Sequence, residues 1–158
     1  MSESKIHSAL VSAYIASGVM PVERTAFEGK TFTPPTGQSW ARLTGLPTGR
    51  APAAQGRNAA QEWTGVLQID LFHPKDTGHA GLLAGADALL SHFKSGARIH
   101  YRPGNEPSLV INFVAEQYSI ETGQQVLIRR AERSQIRQED VWQSVSVSVY
   151  CTAWSFPA

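Results

Sequence analysis

Between Gln61 and Phe93 the spacing of apolar positions switches from two to three and four, and the rest of the chain is organised around that switch. Trp63, Gly65, Leu67, Ile69 and Leu71 alternate with Thr64, Gln68 and Asp70, the period of a strand with one buried face. His73-Pro74 ends the run, because proline has no amide to give a ladder. Asp76 or Thr77 then stands where a side chain can accept a hydrogen bond from the first free amides of a helix. Leu82, Ala86, Leu89, Leu90 and Phe93 follow as one stripe at helical spacing, with Gly96 placed for a left-handed cap. The pattern predicts a strand and a helix sharing one core, with Leu82, Leu89, Leu90 and Phe93 packed on Leu67, Ile69 and Leu71.

The same reading extends outward. Ile6, Ala9, Leu10, Ala13 and Tyr14 form a helical stripe that Ser4 can cap and Gly18 can end. Pro21-Val22 and Phe27 to Phe32 suggest a short strand, Pro34 to Gly37 a stop, and Trp40 to Leu46 an extended run. Pro47 to Gln61 has no apolar period and reads as a long hairpin tip carrying Arg50 and Arg57. Ala97, Ile99 and Tyr101 make a short strand, Leu109 to Tyr118 a strand apolar on both faces, and Gln125 to Arg129 its hairpin partner. Ala131 to Asp140 is charged and reads as a second exposed loop. In the last strand Val141, Val145, Val147, Val149 and Cys151 fall on one face, which is core. Ser144, Ser146, Ser148 and Thr152 fall on the other, which is wet or packed on a partner. For Trp40, Trp63 and Trp142 the default is core or sheet-edge packing, with an interface anchor the sharper option.

Composition narrows the class. A chain of 158 residues with 42% hydrophobic content is expected to form one domain over 1–158. Its 14 basic and 13 acidic residues leave a charge of +1, which argues against gripping nucleic acid through phosphates, with no sequence-specific binding expected. One cysteine excludes an internal disulfide, and no apolar run reaches the ~20 residues of a membrane helix. Polar Ser2 to Lys5 does not resemble an export signal, so a cytoplasmic place of synthesis is expected.

Candidate chemistry is sparse. His73, Asp76 and His79 crowd one turn after Asp70, a donor set that suits a divalent metal if distant ligands such as His100 complete it. Turn and capping chemistry explains the same residues more simply, and no metal or other cofactor is assigned. Gly29-Lys30-Thr31 ends like a phosphate loop but has Arg24 where the first glycine belongs. No G-x-S-x-G, G-x-G-x-x-G or H-E-x-x-H is present, and Cys151 on a valine face reads as a small buried hydrophobe. No catalytic residue is expected. The remaining candidates are arginines: Arg42, Arg50, Arg57, Arg129, Arg130, Arg133 and Arg137, read as solvated or as protein contacts in preference to DNA contacts.

Several phrases, in order, resemble the tail terminator proteins of long-tailed bacteriophages. Phe32 to Gly37 followed by Trp40 to Leu46 is similar to the family's opening block. Arg57 and then Gly65 to Pro74 are similar to its central strand and turn. Gly78, Ala86 to Leu89 and Phe93 match its helix, and Trp142 with Val145, Val147 and Val149 its closing strand. The resemblance implies an α+β domain, a mixed, mostly antiparallel twisted sheet packed against two helices. It further implies six copies in a ring that caps the tail tube, stops its elongation and offers a surface for the head. The implied partners are other copies of the chain, the tail tube protein and a head-completion protein, in the host bacterial cytoplasm during assembly and then in the virion tail. A head-completion or neck protein is the alternative. A small metal-dependent enzyme built on the His73 turn, or a nucleic-acid module, stands further off.

Overall fold

The computed structural model describes residues 3–52, 61–100, 108–110 and 125–155. Helix α1, Glu3–Ser17, comes first, and it buries Ile6, Ala9, Leu10, Ala13 and Tyr14 as their spacing requires. Ser4 lies inside this helix and is not its cap. A 3-10 turn at Val22–Arg24 leads into β1, Thr25–Ala26, where Thr25 Oγ1 sits 2.8 Å from the Tyr14 hydroxyl and bonds the Pro21 carbonyl. The expected strand from Phe27 to Phe32 is absent. The chain turns at Phe27 to Lys30 instead, and the Glu28 carboxylate accepts a hydrogen bond from the Gly45 amide.

Strand β2, Trp40–Pro52, pairs antiparallel with β3, Gln61–Pro74. The extended run therefore continues six residues past Leu46, through a bulge at Pro47 to Gly49, and Arg50 is on a strand opposite Trp63 instead of in a loop. Backbone rungs hold this segment, which needs no apolar alternation. Arg57 lies outside the described residues. After β3, Asp76 takes a left-handed backbone (φ 68°) and Thr77 Oγ1 donates to the Pro74 carbonyl at 2.7 Å, so both make the turn and neither caps the helix. Helix α2, Ala80–His92, starts behind His79 without a side-chain cap bond and closes with the Phe93 amide on Leu89 O, ahead of Gly96.

The remaining strands are β4 (Arg98–His100), β5 (Ser108–Val110), β6 (Gln125–Arg133), β7 (Arg137–Gln138) and β8 (Trp142–Ser155). Tyr101 and most of the expected strand from Leu109 to Tyr118 lie outside the described residues, with Leu109 in β5. The expected loop from Ala131 to Asp140 is corrected: β6 runs to Arg133, β7 follows, and Ala131 and Ile136 pack against the core. The strands form one curled sheet in the order β1-β2-β3-β8-β6-β4-β5, with β7 also on β8; among the described residues only β1–β2 is parallel. This is the expected α+β class with a mostly antiparallel sheet.

Strands β3 and β8, each 14 residues, pair along their whole length without a register shift. Leu67, Ile69 and Leu71 therefore align with Val149, Val147 and Val145, and both helices pack on that face. Leu82, Leu89 and Phe93 are fully buried in the same cluster, with Leu90 partly buried at its edge, as the stripe predicted. Cys151 is buried there too, 3.4 Å from the Gly65 carbonyl. Val141 departs from its predicted face: it precedes β8, is 63% exposed, and its carbonyl accepts the Lys75 amide.

Replacing Leu89 by Ala should cost about 2–5 kcal/mol, seen as a lower urea midpoint with an unchanged slope; an unmoved midpoint would contradict its burial. Burial pushes the Cys151 thiol up to about 12, so at neutral pH it is both covered and protonated. Native protein should react with a thiol reagent far more slowly than denatured protein; equal rates would invert the assigned face of β8.

Candidate interface on the open sheet face

The second face of the sheet carries the alternate residues of β2, β3 and β8, and no described helix or strand covers it. Its first row is aromatic. Trp40 stacks on Phe72 at 4.0 Å and 7°, Trp142 meets Trp40 edge-on at 6.0 Å, and Phe32 leans on it at 5.4 Å. Trp40 and Trp142 are thus packed at the sheet edge, and the stacked pair, Phe72 at 4% and Trp40 at 7% exposed, is the most covered part of this row.

The next row is built around a carboxylate. Asp70 is 3% exposed although it lies on the open face. Arg42 gives its Oδ2 two bonds, from Nε at 3.1 Å and Nη2 at 3.0 Å, while Gln68 Nε2 (3.0 Å) and Ser146 Oγ (2.5 Å) donate to Oδ1. Arg137 Nη2 donates to Ser146 Oγ at 2.6 Å, extending the network to β7. A buried anion is tolerable only when donors replace its lost hydration, and here β2, β3 and β8 supply them. The Arg42 side chain stays 53% exposed, with its guanidinium 5.2 Å from the Phe72 ring centroid. Ser144, Ser146 and Thr152, expected to be wet or covered by a partner, are buried by the chain itself. Farther along the same face Arg130 lies 4.2 Å over the Tyr150 ring, the Tyr150 hydroxyl donates to Glu132, and Arg129 Nε donates to Thr152 Oγ1.

The candidate arginines are thus sorted by register. Arg42, Arg129, Arg130 and Arg137 are brought to the open face, whereas Arg50, opposite Trp63, and Arg133, opposite Val147, belong to the parity of the other. Asp70 was missed as an anchor. The available signal was an aspartate in mid-strand, where short polar side chains are disfavoured.

At the other candidate cluster the side chains diverge. Asp76 and His79 are exposed, and His73 turns toward Gly81 and Arg24. Among the described residues no three His, Cys, Asp or Glu side chains are grouped to hold a metal, and no helix is long and apolar enough to cross a membrane. Burial, and secondarily the charge of Arg24, lower the His73 pKa below 6.5.

Fold and surface together define an α+β domain with one sheet face packed on helices and the other open and studded with guanidinium groups. A family model described as phage tail terminator protein matches residues 5–150, and the chain belongs to that family, a structural protein of the phage tail. Comparison with curated proteins finds no match. A solved structure 20% identical superposes with a TM-score of 0.63 over 100% of this chain and 99% of its own, which shows the shared fold.

Asp70→Ala should lower stability by about 1–3 kcal/mol in urea unfolding, because Ser146 and Gln68 lose a buried acceptor; no change would mean that the carboxylate contributes nothing net. For His73 the folded-state pKa is depressed, so the unfolded chain takes up the proton first as pH falls. Stability present above 6.5 is lost as pH drops below that value and through the lower folded-state one. His73→Gln should therefore show a shallower fall in unfolding midpoint between about pH 7.5 and about pH 5.5; an identical slope would show that the imidazole is not differentially protonated.

Proposed function

We propose that six copies of this chain form a ring on the head-proximal end of the tail tube, where it stops addition of tube subunits and then receives a head-completion protein. The ring would assemble in the host bacterial cytoplasm and remain in the virion tail. Family membership supports the tail role. The observation that carries the interface assignment is the open face, where Asp70 holds Arg42 in place and Ser146 holds Arg137 beside it.

Two of its features suit an assembly surface. Guanidinium groups fixed by neighbours lose less freedom on docking than free ones, and arginine and aromatic side chains are enriched where proteins meet. A ring also needs two different patches that meet in every copy. Arg42, Arg129, Arg130 and Arg137 would supply one patch on the open face. Arg50 and Arg133, on the opposite parity, would contribute to the second together with Arg57.

Two charge-reversed variants test this, Arg130→Glu with Arg137→Glu, and Arg50→Glu with Arg57→Glu. Each is expected to keep the far-UV circular dichroism of the folded chain, the first with a lowered unfolding midpoint because Arg137 bonds Ser146, but to leave tubes overlong and without terminal rings in electron micrographs. Tubes capped by both variants as well as by the unaltered protein would overturn the interface assignment.

A further inference from the structure

On the helix-bearing side, a cavity of about 320 Å³ opens between α2, the segment around Met20 and the end of β3. Its apolar lining comes from buried Met20 and Leu71 and from exposed Ala84 and Ala88 on α2, and its polar groups are Arg24, Ser39 and His73. Arg24 Nη1 donates to both the carbonyl and the hydroxyl of Ser39, each at 3.3 Å, which fixes the guanidinium at the rim and leaves its other N–H groups for a ligand. Among the described residues no acidic side chain lines the cavity. The first turn of α2, which contributes Gly81, also has no acidic residue and no side-chain cap, so its positive end adds to the same field. A side chain at Gly81 would press on His73 Cε1, 3.2 Å from where a Cβ would stand; glycine keeps this wall open.

A fixed guanidinium, an imidazole and a helix N-terminus thus share one partly apolar hollow with no counter-charge among the described residues. We propose that the cavity binds an aliphatic monocarboxylate, its carboxylate on Arg24 and the imidazole N–H of His73 and its short stem on Met20, Leu71, Ala84 and Ala88. One guanidinium partly spent on Ser39 suits one negative charge better than the two of phosphate. The volume is several times the roughly 30 Å³ share of one water, enough for a stem of three or four carbons. Such a group comes either from a free short-chain acid or from a glutamate side chain on another protein. Carboxylate binding here does not depend on tube capping and can be present or absent without it.

The test uses the whole chain, sodium butyrate, and glutamate blocked at both ends as N-acetyl-glutamate-N′-methylamide, each titrated at constant ionic strength while the His73 ring and Gly81 amide signals are followed by nuclear magnetic resonance. Saturable shifts with half-saturation in the millimolar range are expected, and the better binder of the two names the source. Arg24→Gln should weaken binding about tenfold or more. Ala84→Leu, at an exposed helical position in the lining, should occlude the cavity and abolish binding while leaving the circular dichroism intact. The proposal is overturned by shifts that do not saturate by about 100 mM, by equal affinity in Arg24→Gln, or by inorganic phosphate producing the same shifts at the same concentrations.

Discussion

An unbroken ladder between β3 and β8 imposes one rule on everything around it. Because successive side chains on a strand point to opposite faces, a register without a bulge commits every residue of both strands to one face or the other. Leu67, Ile69 and Leu71 meet Val149, Val147 and Val145 on the side that takes the helices, and Asp70 is thereby forced onto the side that does not. A one-residue slip would carry Asp70 into the packed core and the valines out of it. The pairing of Asp70 with Ser146, and its reach to Arg42, therefore work with the hydrophobic pattern in selecting the register.

Elements whose side chains carry a period were legible in the sequence. The stripes of α1 and α2 and the alternations of β3 and β8 identify almost all of the apolar residues that those four elements bury, since burial on one face is what produces those patterns. Two stretches were not legible, for different reasons. From Pro47 to Pro52 the chain is held by backbone rungs, and prolines, glycine and alanine leave no trace of that in side-chain chemistry. In β6 a shift between Ile128 and Arg130 breaks the alternation, so that Arg130, Ala131, Glu132 and Arg133 look like a charged loop while continuing a strand. The candidate site was half legible on the same grounds. Arginine identities are plain, but their division between two faces depends on pairings that no local window contains.

The two faces differ in how their order is secured. On the helix side, apolar area removed from water holds the elements together without strict direction. On the open side the order is directional: one carboxylate fixes the angle of Arg42, Gln68 and Ser146, and rings fix one another by stacking. A surface ordered this way keeps a defined shape while exposed to water. That property distinguishes it from an unpaired apolar face, whose side chains would re-pack against whatever covered them.

The central position of β8 has a consequence for how the molecule is made. It is translated after every other described element, yet it lies between β3 and β6 and supplies one wall of the core. Until it emerges, several seconds after β3 at ~5–20 residues per second, the nascent chain holds a β2–β3 hairpin with an unpaired inner edge, and β6 has no neighbour on that side. Neither the inner core nor the carboxylate network can close before then, because Val145, Val147, Val149 and Ser146 all arrive together. The arrival of β8 and the completion of both faces are thus a single event, and a chain that stops short of β8 presents strand edges in place of a finished surface.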